Sequence, residues 1–203
     1  EYGDMSDLKE TIQLATYGKL FGITRQALAN DDLSALSAIP RAMGTAANRK
    51  VGDTVYAVLT TGTSVTMLQD STAIFDAATH GNYVTSGAAP SVATLDAARV
   101  AMATQTDPQG KTIGLRMRHL IVPVALQTTS ETLIAATYDP AGTAGTLPPN
   151  PMQGAVSVTA DHRLDTYNSS GWFVASGTNQ VVVGFLNGQQ TPYMESKDGW
   201  SID

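Results

Sequence analysis

The sequence predicts an α+β fold, with extended and helical segments first and a mixed sheet after them. Two observations carry that expectation. In two stretches, Leu33 to Leu59 and Val92 to Met102, apolar side chains recur at spacings of three and four, the period of a helix face. From His119 onward, short apolar runs alternate with turn-forming residues, the pattern of strands.

The elements follow in order. Residues 8–24, LKETIQLATYGKLFGIT, favour extended structure, with Ile12 and Leu14 in one alternating set and Phe21 and Ile23 in another. Gly18 and Gly22 interrupt this run and invite a bend or bulge. Asp31 or Asp32 offers a helix N-cap. The stripe Leu33, Leu36, Ile39, Met43, Ala47, Val51, Val55 and Leu59 follows, ending at Gly62. Pro40 lies inside this stripe and should kink or divide the helix. Residues 61–90 read as a mixed stretch closing in a loop.

A second helix is expected from Ser91, just after Pro90, with Val92, Leu95, Ala98 and Met102 on one face and Asp107-Pro108-Gln109-Gly110 as its closing turn. The run HLIVPVAL (119–126) predicts a buried strand, placed at an edge or bulge by Pro123. Thr128 and Glu131 form a capping box for a short helix through Ala136. Residues 138–154 read as a loop open to motion. Strands are then expected in AVSVTAD, GWFVAS, QVVVGFLNG and TPYMES, with Asn187-Gly188 as a turn.

Composition narrows the function. The chain has 203 residues, 42% of them hydrophobic, enough for one large domain or a domain with a lobe. Charged residues are 15%, against about a quarter in ordinary soluble domains. Thr, Ser, Gln and Asn replace them, which suits a surface covered by copies of the same chain. Secreted adhesins share that composition, so a monomeric Thr-rich binding domain is the alternative. The net charge of −6 argues against tight binding to nucleic acid, which needs clustered Lys and Arg. There is no cysteine, so disulfides, thiolate metal sites and cysteine nucleophiles are excluded. No apolar run approaches a membrane span and no signal peptide opens the chain. The start at Glu1 without Met, and the strand-like end at Ser201-Ile202-Asp203, lead us to expect a chain cut at both ends.

Catalytic patterns are wanting. His80 sits in a His-Gly-Asn loop, His119 precedes an apolar strand, and His162 lies in the charged cluster Ala160-Asp161-His162-Arg163-Leu164-Asp165. None belongs to an HExxH or an i,i+4 pair. There is no GxSxG elbow, no phosphate-cradling GxxxxGK[ST] and no GxGxxG after a strand. A hydrolase built on His80 or His162 would need a hydroxyl and a carboxylate converging on one of them. The acidic pair Asp31-Asp32 reads as helix caps, and Glu195 with Asp198 as a solvated turn. The helix-turn-helix look of ITRQALANDD fails on charge: Arg25 is its only basic residue and two acids end it. Arg41, Arg49 and Lys50, with Arg116, Arg118 and Arg163, are surface charge or ion pairs across subunit contacts. The chain is read as a non-enzyme without cofactor or metal.

One ordered set of motifs is more specific. Thr16-Tyr17-Gly18, Phe21, Ile23-Thr24-Arg25-Gln26-Ala27-Leu28 and Asn30-Asp31-Asp32-Leu33 open it. His80-Gly81-Asn82, LIVPVALQTT, DHRLD with GWFVAS, Phe185 to Tyr193 and Lys197-Asp198-Gly199 continue it in order. This string resembles the major head subunits of Mu-like phages and prophages. The resemblance implies a Hong Kong 97-type capsid fold: an extended arm or projecting loop at 1–25, a helix-rich part at 26–118 with the spine helix at 91–106, and a strand-rich part at 119–203 including the axial lobe. It implies self-association into hexamers and pentamers of an icosahedral shell. It also implies a prohead protease or scaffold during assembly, non-specific contact with packaged double-stranded DNA, no membrane, and a place in the virion after assembly in the host cytoplasm. Tyr17, Phe21, Ile23, Arg25 and Arg41 are the expected subunit contacts. No cross-linking residue matches.

Overall fold

The computed structural model describes residues 14–22, 34–68, 70–107, 109–142, 147–177, 181–193 and 195. They fall into two compact units, one of residues 56–182 and one combining residues 14–55 with 183–195. The fold is mixed α and β, as expected.

The first long element is α1, Ser34–Thr61, which at 28 residues extends about 42 Å. Pro40 lies inside it without dividing it. In the apolar stripe Ile39, Met43, Ala47, Val55 and Leu59 are half-buried and Val51 is exposed, so the chain itself covers this face only in part. The expected N-caps Asp31 and Asp32 lie outside the described residues. Threonines on α1 bond back to their own helix: Thr45 Oγ1 donates to the Arg41 carbonyl (3.1 Å), Thr54 to Lys50 (2.9 Å) and Thr61 to Ala57 (2.6 Å). Gly62 follows directly, and a Cβ there would run into the Phe75 ring.

The core belongs to the 56–182 unit. Helix α2, Val92–Ala103, starts at a Ser91 N-cap whose hydroxyl accepts from the Thr94 N–H, while the Thr94 side chain returns a bond to the Ser91 backbone. Its face buries Leu95 completely, with Val92 and Met102 packed beside it. The closing turn forms as expected: the Asp107 carboxylate accepts from the N–H groups of Gln109 (2.9 Å) and Lys111 (2.8 Å).

Strand β1, Met117–Val122, is the centre of a three-stranded sheet ordered β2-β1-β3, with β2 at Ser157–Ala160 and β3 at Phe173–Ser176. It pairs parallel to β2 and antiparallel to β3. A register shift between Met117 and His119 leaves Arg118 and His119 both exposed, while Met117, Leu120 and Val122 face the core. Pro123 therefore does not place the strand at an edge. It comes one residue after the strand ends and opens a 3-10 turn, Val124–Leu126, so its missing N–H costs the ladder nothing.

Helix α3, Gln127–Ala135, continues from that turn and completes the crossover to parallel β2. The expected capping box is not made: α3 has no side-chain N-cap, and Glu131 instead accepts from the Gln127 amide (2.8 Å). The donors at the start of this helical run are met from elsewhere. The Asp165 carboxylate, on helix α4 (His162–Tyr167), accepts from Val124 N–H (2.9 Å) and Ala125 N–H (3.0 Å).

The described residues of the 138–154 stretch form a loop, and its second half is tied down. Asn150 is buried, and its amide donates to the Leu133 (2.6 Å) and Ala136 (2.9 Å) carbonyls at the end of α3. Its side-chain oxygen accepts from the Met152 N–H (2.9 Å). Leu95, Met117, Leu120, Val122, Leu133, Met152 and Val156 then close a single cluster.

Two expected strands are not found among the described residues. Residues 181–186 and 191–193 are in no ladder among the described residues, and residues 14–22 likewise carry no regular element. The Asn187-Gly188 turn is present, with φ +51° and +72°.

Candidate functional site

The residues expected to make contacts outside the chain divide into those placed and those not. Tyr17 is exposed, and the centre of its ring lies 4.6 Å from the Lys50 ammonium on α1, a cation–π contact. Phe21 is 51% exposed, although a buried place would be normal for a phenylalanine. Leu20 beside it is fully exposed. Arg41 is exposed on α1. Ile23 and Arg25 lie outside the described residues. The structure thus sets Tyr17 against α1 and leaves Phe21 and Arg41 in solvent. It does not gather them around a pocket.

The charged cluster after β2 has a structural account. Asp161 N-caps α4 through the Arg163 N–H (2.9 Å) and holds the Arg163 guanidinium (3.1 Å). That guanidinium lies 5.5 Å from the centre of the Tyr56 ring. Burial, and then the Asp161 carboxylate, push the Tyr56 phenol above its usual range. Leu164 is buried, and Asp165 serves the 3-10 turn. His162 itself points outward, 76% exposed. The motif is a clamp joining the end of α1, α4 and the start of the α3 run.

His80 closes a second local structure. Its Nε2 lies 2.7 Å from Asp70 Oδ2, while the Gln105 amide donates to the His80 carbonyl (3.0 Å). Asn82 bonds across the same loop to the Ile74 carbonyl (2.8 Å), and its oxygen accepts from the Asp76 N–H (2.9 Å). The hydrogen bond to Asp70 raises the His80 pKa above its ordinary value. The Asp70 carboxyl is lowered, first by the Thr72 N–H and then by His80. A raised histidine stabilises the fold below its unfolded pKa, and that contribution fades as pH rises through the folded value. The lowered carboxyl contributes fully above its unfolded pKa of 3.8 and loses that contribution only in acid, as pH falls through its folded value, so it adds no slope near neutrality. The thermal midpoint is therefore expected to fall between pH 6 and pH 8.5, and the His80→Gln chain should lose that slope. Equal slopes for the two chains in differential scanning fluorimetry would exclude the pair as its source.

His119 Nδ1 meets Ser157 Oγ at 2.8 Å, across the register pair that joins β1 to β2. They line an open groove of about 470 Å³ with Arg118, Gly154 and Gly177, and no carboxylate lines it. His80 is paired with Asp70 and His162 lies beside Asp161, and each of these carboxylates also accepts a backbone N–H of its own loop or helix cap. Among the described residues no three His, Cys, Asp or Glu side chains group to hold a metal, and no helix is long and apolar enough to cross a membrane.

An α+β body whose polar clusters are spent on internal ties, and which leaves Leu20, Phe21 and other apolar side chains in solvent, suits a protein that packs against other chains. The comparison with protein families agrees: the phage capsid protein family model matches residues 9–203, nearly the whole chain, and the chain belongs to that family. It is a structural major capsid protein, not an enzyme and not a monomeric adhesin-like domain. No curated protein and no solved structure matches it.

Proposed function

We propose that this chain tiles an icosahedral head of Hong Kong 97 type, of the kind made by Mu-like phages, through hexamers and pentamers of identical subunits. The family match over residues 9–203 carries the reading. In this arrangement one subunit shape makes related contacts many times over, each weak enough to form reversibly. A prohead protease or scaffold would guide assembly in the host cytoplasm. The finished shell in the virion would hold double-stranded DNA without reading its sequence, as its acidic balance suits.

Residues 1–25 form the projecting arm in this reading, 26–118 the helix-rich part and 119–203 the strand-rich part with the axial lobe. The expected spine, 91–106, holds the 12-residue α2. The 28-residue α1, with its apolar stripe only half covered, favours a second assignment in which α1 is the spine.

Tyr17, Phe21, Ile23, Arg25 and Arg41 are proposed as contacts with neighbouring subunits. Exposure of Phe21 supports this, since burying its remaining exposed half against a neighbour recovers about 1 kcal/mol per contact. In the full-length protein, Phe21→Asp should leave circular dichroism unchanged and remove shells from electron micrographs. Normal shells from that variant would rule the arm contact out.

A further inference from the structure

We infer that the 181–193 segment completes its strand pairing on the open β2 edge of a neighbouring copy of this chain. The inference rests on the shell reading and names one of its contacts. Its first support is the turn. Asn187 (φ +51°, ψ +23°) and Gly188 (φ +72°) are both left-handed, and the Gln189 N–H closes onto the Leu186 carbonyl at 3.1 Å. A two-residue turn with positive φ at both centres is type I′, whose twist matches paired strands rather than free coil. The residues on either side are strand formers: Val181, Val182, Val183 and Phe185 before it, Thr191 and Tyr193 after it. Yet no ladder reaches them among the described residues, and Val182 (71%), Leu186 (67%) and Tyr193 (73%) stand in solvent. The turn of a hairpin is present, and among the described residues its arms are paired neither with each other nor with the sheet.

The acceptor is the second support. The sheet has two outer strands, and β3 is the one crowded by side chains of other segments: Phe75 packs on Phe173 at 5.7 Å, and beside the strand Trp172 Nε1 donates to the Ala88 carbonyl at 2.8 Å. Strand β2 is Ser157-Val158-Thr159-Ala160, alternately exposed and half-buried. Proteins that stay single protect such edges by shortness or with Lys, Pro or a bulge; β2 is short, at four residues, and carries no Lys, Pro or bulge. An added strand there gains main-chain hydrogen bonds with little side-chain obstruction.

Charge selects the occupant. Copies of a chain with net charge −6 repel one another, so contacts between them favour segments without charge. Residues 181–193 contain no Asp, Glu, Lys or Arg, and neither does β2. An acidic or basic foreign partner would find nothing to pair with. A second copy supplies both the neutral donor and the neutral edge, in the head-to-tail sense that lets contacts continue around a ring.

The native chain lacks cysteine, which permits a direct test. Thr159→Cys is combined in the full-length protein with Val182→Cys, and separately with Val183→Cys, because neighbouring residues of a strand point to opposite faces. Assembled particles are treated with a short bismaleimide and run on a denaturing gel. One double variant should give a ladder of multimers, while each single-cysteine chain stays monomeric. In parallel, amide exchange in the unmodified protein should slow at least tenfold at residues 157–160 and 181–183 on assembly. Particles whose double variants stay monomeric, or carry only an internal cross-link, overturn the inference, as does unchanged exchange on assembly. Failure of the unmodified protein to form any particle would instead sink the shell reading, and this inference with it.

Discussion

An Asn150→Asp chain is expected to be destabilised by more than about 3 kcal/mol at neutral pH, although the substitution keeps the shape of the side chain. The buried amide donates to the carbonyls of Leu133 and Ala136, which end α3. A carboxylate has no donor to offer them, and it brings negative charge to the negative end of the helix dipole. Two carbonyls lose their partners and an anion is left facing them. The carboxyl would hold its proton to a raised pKa in the folded state. Stability should therefore return in part as pH falls through that value, because the protonated acid regains one O–H donor. Urea unfolding at pH 7 and pH 5, followed by the fluorescence of Trp172 beside the core, reads both effects. A midpoint equal to that of the unaltered chain at pH 7 would show that Asn150 is not a pin.

Leu120→Ala should cost about 2–5 kcal/mol, a large share of the roughly 5–15 kcal/mol that holds a domain folded. Leu120 has no exposed surface and lies on the central strand, opposite Val158 of β2 and Val174 of β3. With strands on both sides the site has little freedom to collapse, which puts the cost toward the upper end. The same urea experiment should show a lower midpoint with an unchanged slope. A loss below 1 kcal/mol would mean that the seven-residue cluster repacks around the hole.

Local chemistry explains which parts of this fold were legible in the sequence. Ser91 after Pro90 marks the start of α2 because both the cap and the proline act within one turn. HLIV marks β1 because a strand buried on its core face must be apolar. The order β2-β1-β3 is not legible, since it depends on pairings between distant segments. Thr128 and Glu131 match a capping box, but the helical run begins earlier, and its first donors are taken by Asp165 about 40 positions later in the chain. No short motif announces such a partner. Asn150 was missed for the same reason: within a proline-rich stretch it reads as a turn residue, and its partners are 14 and 17 positions back.

The candidate contacts are legible to a different depth. Phe21 and Tyr17 stand out as aromatics in a glycine-broken extended run, and their exposure follows from having no apolar stripe of their own to join. The valines of 181–183 read as a strand, and the chain's own sheet does not take them in. A strand whose partner is another molecule looks, in one sequence, like any other strand.

The threonines that bond back to their own helix carry a consequence for how shells can form and still correct themselves. A hydroxyl already satisfied at Arg41, Lys50 or Ala57 gives up little when water leaves it. A helix surface made of such groups can be dried by a neighbour and wetted again at small cost in either direction. Lysine and glutamate in those places would hold their water tightly and resist each docking. Threonine in place of charge thus lowers the cost of drying and rewetting these positions of α1.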